Sequence, residues 1–155
     1  MSDQDVDETR VCRMLKNAFA DVPCPDSFKK ADGRGPLAHE IALELRRNFY
    51  NYEPEEVHYL LPLILEELIN SRTGDEIETD DAERLVLQLD PLQINNELVR
   101  AVSLQQFSAF SQQQAEAICE FLRMARTWND LSRFTKWVDT SMEYWCSRAA
   151  GLSIR

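Results

Sequence analysis

The chain has 155 residues, a formal net charge of −10 at pH 7, 44% hydrophobic residues, four glycines and six prolines. That length fits one domain able to bury about two thirds of its unfolded surface without metals or a disulfide framework, and so little Gly and Pro excludes a low-complexity or loop-rich sheet protein. The excess acid disfavours a phosphate backbone as partner and favours a basic one.

No window alternates apolar and polar residues long enough to demand a strand, so the chain reads as all-helical. A first helix is predicted over about Asp7 to Ala20, with Val11, Leu15, Ala18, Phe19 and Val22 at helical spacing and acids at its positive end. Pro23 and Pro25 stop it, and the breaker-rich stretch from Asp26 to Gly35 reads as a loop. Pro36 suits the first position of a second helix, whose apolar face is Leu37, Ala38, Ile41, Leu45 and Phe49 and which ends near Asn51.

Pro54 opens a third helix, with Glu55 and Glu56 in its first turn. From Tyr59 to Leu65 every residue is apolar or amphipathic, so this helix is greasy on all sides and belongs at the centre of the core. It is far short of the roughly 20 apolar residues that a membrane span needs. Pro62 removes one backbone hydrogen bond inside it, which predicts a kink. Gly74 closes the element.

Asp80 and Glu83 have capping-box spacing for a short helix through Leu85, Val86 and Leu89, ended by Asp90-Pro91. Residues 92–107 read as a partly helical connector, because Asn95-Asn96 and Ser103 interrupt the apolar pattern. Ser111 and Gln114 repeat the capping box, and Phe110 before the cap pairs with Ala115 as a hydrophobic staple, giving the sharpest helix start in the chain. A last helix capped by Asn129 carries Leu131, Phe134, Val138, Met142, Trp145 and Ala149 as a stripe, widened by Trp137 and Tyr144, and Gly151 ends it. The expected architecture is a single compact all-α domain over residues 1–155, with residues 1–6 frayed and about six helices around a central Pro-kinked apolar one.

The charge is concentrated. Between Glu53 and Asp90 twelve acids face only Arg72 and Arg84, which accounts for the whole net charge. Cys12, Cys24, Cys119 and Cys146 are far apart, without the close spacing of zinc or redox motifs, and read as reduced, mostly buried thiols. The N-terminal Met-Ser-Asp-Gln-Asp-Val-Asp-Glu is acidic where a signal peptide is basic and then apolar, so the expected location is cytoplasmic.

Ala18-Phe19-Ala20-Asp21-Val22-Pro23, Tyr59-Leu60-Leu61-Pro62, Leu85 through Leu89 to Pro91, and Phe107 through Phe110-Ser111, Gln114, Ala117-Ile118 and Phe121-Leu122 occur in one order. In these residues the chain resembles an uncharacterised bacterial family of small helical proteins, a domain of unknown function, over roughly residues 15–125. Where that family carries a tryptophan-containing acidic stretch after the second helix, this chain has Phe49, Tyr50 and Tyr52. The resemblance implies a shared helical fold and brings no catalytic residue, cofactor or metal.

The candidate chemistry is sparse. Glu55 and His58 have the one-turn spacing of di-iron bundles, but such a site needs a second pair, and His39 has Pro36 three residues before it. His39-Glu40 fails as a zincin start because residue 43 is Leu. Asp75, Glu78, Asp80, Asp81 and Glu83 are hard-cation donors without the glycine of an EF-hand loop. No nucleophile elbow or phosphate-binding glycine loop is present, which leaves an enzyme without a constellation behind it.

The favoured expectation is a non-enzymatic, acidic helical protein that binds another protein, as an inhibitor or immunity-type partner of a basic one. Glu55, Glu56, His58, Asp75, Glu76, Glu78, Asp80, Asp81, Trp137 and Tyr144 are its candidate surface. The alternative is a small-molecule or metal binder with a pocket near His58 and Pro62. No membrane or nucleic-acid partner is expected.

Overall fold

The computed structural model describes residues 3–26, 52–71, 86, 88–91, 97–128 and 135–151. Five helices lie in these stretches: α1 (Asp3–Ala18), α2 (Pro54–Ser71), α3 (Glu97–Ser108), α4 (Gln112–Ala125) and α5 (Thr135–Ala149). Among the described residues there is no strand, and the all-α class stands. The second predicted helix, the acidic cluster from Asp75 to Glu83, and the Asn129 cap with Leu131 and Phe134 lie outside the described residues.

Helices α4 and α5 form an antiparallel hairpin. The start of one meets the end of the other where Gln112 Nε2 donates to the Ala149 carbonyl at 2.8 Å, and the opposite ends meet where Arg126 Nε donates to Asp139 at 2.6 Å. Helix α1 runs antiparallel to α4 on its other side, joined by Arg10 to Glu120 at 3.3 Å near one end and by Gln114 to the Ala18 carbonyl at 3.1 Å near the other. Helix α2 packs on α1 and α3.

The apolar run behaves as its composition demands. Val57, Leu60, Leu61, Ile64 and Leu65 are fully buried, each such side chain contributing about 1.5–3 kcal/mol by leaving water. The helix runs unbroken from Pro54 to Ser71 with Pro62 inside it. Pro62 has no N–H, so the His58 carbonyl lacks its usual donor four residues on. Glu56 Oε1 accepts the Glu53 N–H at 2.8 Å, so this acid caps the helix start.

At the other end of the core, Trp145 is fully buried, and its Nε1–H donates to the Leu89 carbonyl at 2.8 Å. Ser141 Oγ donates to the Val86 carbonyl at 3.1 Å, so α5 holds Val86 and Leu89 by their backbone acceptors. Phe107 and Phe110 lie against the Trp145 ring, with centroids 4.9 and 5.4 Å away. Gly151 follows α5 with φ of 77°, the left-handed geometry that ends a helix and that glycine adopts without strain.

The connector read as partly helical is helical from Glu97 to Ser108, with Ser103 and Gln106 buried on its inner face and Gln106 Nε2 donating to the Tyr52 carbonyl at 2.8 Å. Two expectations need correction. Helix α1 begins at Asp3, one turn before the start expected at about Asp7. The reduced state expected for all four cysteines holds for Cys12 and Cys24 only. Cys119 and Cys146 form a disulfide between α4 and α5. Local spacing missed it because the bridge depends on hairpin packing, which brings the two Cα atoms to 5.0 Å, within disulfide range.

Candidate functional site: a groove between the first two described helices

Antiparallel α1 and α2 leave a groove between them. At one end lies a cavity of about 190 Å³ lined by Leu15, Lys16, Phe19, Val22, Tyr59, Pro62, Leu63 and Glu66. Next to it lies a more polar one of about 410 Å³, lined by Glu8, Thr9, Cys12, Arg13, Lys16, Ile69 and Asn70. Lys16 borders both. The smaller cavity follows from side-chain size along two helices. Phe19 and Leu15 are buried on the α1 side, while Tyr59 and Leu63 stand half-buried at the edge of the α2 core face.

Glu66 sets the electrostatics. Only 17% of its side chain is exposed, and Lys16 Nζ lies 3.9 Å from its Oε1, too far for a hydrogen bond. That oxygen is buried and has no hydrogen-bond partner. Burial pushes the Glu66 carboxyl above the ordinary glutamate range, with Lys16 pulling it part of the way back. Burial also raises the Cys12 thiol, and the Glu66 charge adds to the effect. Burial raises the Tyr59 phenol at the rim, and its hydrogen bond with Cys24 acts in the same direction.

The predicted site residues scatter. Glu55 is exposed, and Glu56 is occupied with the α2 cap. Trp137 is half-buried. Tyr144 is buried beneath Arg148, whose guanidinium lies 5.7 Å from the phenol ring and donates to the Phe107 and Phe110 carbonyls at 2.7 Å each. Tyr144 therefore belongs to the core. It was expected on the candidate surface because periodicity does not reveal an arginine folded over it. Asp75, Glu76, Glu78, Asp80 and Asp81 lie outside the described residues. Asp90, counted with the acidic stretch, is buried.

His58 and Pro62 part company. Pro62 lines the smaller cavity, whereas His58 Nε2 lies 2.7 Å from Gln114 Oε1, with its ring between Phe19 and Phe110 at centroid distances of 5.8 and 4.6 Å. Gln114 Oε1 also accepts the Ser111 N–H at 2.9 Å, while its Nε2 donates to the Ala18 carbonyl at 3.1 Å. These partners make Oε1 the acceptor, so His58 carries a proton on Nε2 and donates it. His58 thus joins α2 to the cap of α4. Among the described residues no three His, Cys, Asp or Glu side chains are grouped to hold a metal, and no helix is long and apolar enough to cross a membrane.

Fold and groove together define a small all-α domain with a two-cavity cleft on one side and a cross-linked helical hairpin on the other. By sequence the chain belongs to the Family of unknown function (DUF6714), whose model matches residues 42–149. The match takes in α2 to α5 and starts after the Ala18–Pro23 motif, so it lies further toward the C-terminus than the resemblance over residues 15–125 suggested. No curated protein and no solved structure matches the chain.

Proposed function

We propose that this protein is a non-enzymatic binding protein whose ligand is a small molecule seated between α1 and α2. The observation that supports this reading is Glu66 Oε1, a buried acceptor without a hydrogen-bond partner on a residue that lines a mainly apolar cavity. Buried polar atoms are nearly always paired, and an orphan on a residue that lines a cavity suits a site completed by its ligand. The volume, about 190 Å³, compares with the roughly 150 Å³ that holds benzene in a dry protein cavity.

The test is thermal stability of the full chain against fragments of benzene size and slightly larger. Fragments that raise Tm are expected, and Leu63→Trp, which fills the cavity, should abolish their effect. A flat response, or an equal response in the filled variant, would count against the groove.

A second reading has a specific observation behind it, the net charge of −10 gathered between Glu53 and Asp90. In that reading the acidic surface steers a basic partner protein, in the manner of an inhibitor or immunity protein, and the groove is incidental. Burial of Asp90 and Glu66 removes two charges from that surface, which is why the groove is preferred. The Cys119–Cys146 bridge favours an oxidising compartment over the cytoplasmic setting expected from the sequence, since disulfides persist chiefly there.

A further inference from the structure

Resting on the groove reading, the charges at its centre restrict what fits. Lys16 and Glu66 face each other at 3.9 Å without a hydrogen bond. Their exposures differ widely, with 71% of the Lys16 side chain in solvent against 17% for Glu66. An amine placed on Glu66 meets the like charge of Lys16. A carboxylate placed on Lys16 meets that of Glu66, so either charge alone gains one contact and is penalised by the other. Arg13 and Glu8, which line the adjoining cavity, add one charge of each sign and leave this balance unchanged.

A molecule carrying both charges in the complementary order satisfies both partners. An α-amino acid holds its ammonium and carboxylate on one carbon, which matches two protein charges 3.9 Å apart. Its side chain then needs an apolar compartment alongside. Leu15, Phe19, Val22, Pro62 and Leu63 supply one, of a volume suited to a branched or aromatic side chain. Lys16 reaches such a ligand easily, because its long exposed stem swings without disturbing the core.

We infer that the groove takes a small apolar zwitterion, a free amino acid with a branched or aromatic side chain, its ammonium on Glu66, its carboxylate on Lys16 and its side chain in the cavity beside Pro62 and Leu63. The ligand's ammonium meets the Glu66 carboxylate and its carboxylate meets Lys16, in place of an ion pair that is too long to hydrogen-bond.

Calorimetric titration of the full chain tests this with leucine, 3-methylbutylamine and 4-methylpentanoate, and with phenylalanine, phenethylamine and 3-phenylpropanoate. Toluene serves as the uncharged probe of the cavity. At least one amino acid should bind about ten-fold or more tighter than its own amine and acid, as expected for losing one charge-assisted hydrogen bond. Glu66→Gln and Lys16→Met should each remove that advantage while leaving helical content intact. Binding of toluene together with an amine or acid that matches its amino acid overturns the zwitterion and leaves the groove standing, as does toluene binding without amino-acid binding. An advantage that survives both substitutions also overturns it. Failure of every probe, toluene included, sinks the zwitterion and the groove together.

Discussion

The two sides of this molecule treat their polar groups differently. On the α4–α5 side each buried donor described above has a partner: Trp145 bonds Leu89, Ser141 bonds Val86, and Arg148 covers two carbonyls at the end of α3, with a covalent bridge added between the hairpin helices. On the α1–α2 side a carboxylate is buried without a hydrogen bond for one oxygen, and two cavities remain open. Paired networks fix a structure, whereas an incomplete one lowers stability and leaves chemistry available. The family match covers the first side completely and only one wall of the second, since α1 lies outside it.

Three experiments break or sharpen that contrast. The largest effect belongs to the disulfide, which closes a loop with a sequence separation of 27. Chain-entropy arithmetic gives about 3.5 kcal/mol, or roughly 10 °C in Tm for a chain of this size. The double variant Cys119→Ala with Cys146→Ser should show that loss in a thermal melt, and reductant should have no further effect on it. An unchanged Tm would show that the hairpin holds without the bridge.

Next comes Gln114→Ala, which removes half of the capping box and the bonds to His58 and the Ala18 carbonyl. About 2 kcal/mol should be lost in denaturant unfolding, because one cap and one orphaned acceptor account for that much. A loss no larger than that of an ordinary exposed position would show that the two sides are not coupled through this residue.

The smallest effect has the opposite sign. Glu66 has its carboxyl raised by burial, so the folded state holds its proton more tightly than the unfolded chain does. Its contribution to stability is then fully present below the ordinary glutamate range and is lost as pH rises through the folded value. Above that window the charge is a liability. Glu66→Gln should therefore stabilise the protein at pH 7, by about 1 kcal/mol or less, with the gain vanishing at acid pH. Melts across pH would sink this account if the variant were destabilised at pH 7. The same substitution should weaken the proposed ligand, so stability and binding should move in opposite directions.

Features carried by neighbours in the chain were legible in the sequence. Ser111 and Gln114 form the predicted reciprocal cap, with Gln114 N–H donating to Ser111 Oγ at 3.1 Å, and Leu60, Leu61, Ile64 and Leu65 are as buried as their composition required. Features made by pairs distant in the chain were not. Nothing near Cys119 names Cys146 as its partner, since only hairpin packing brings them together. Glu66 read as one more surface acid because helical periodicity places a residue on a face without telling how deeply its neighbours cover it. Pro62 lines the smaller cavity, but His58, one turn earlier, points to α4.

Gln114 has a consequence that reaches beyond stability. The amide that completes the first turn of α4 also holds the end of α1 through Ala18 and the flank of α2 through His58. Any change in the spacing of those two helices would tug on this three-way joint and slacken the start of the neighbouring rod, with a single side chain as the tendon.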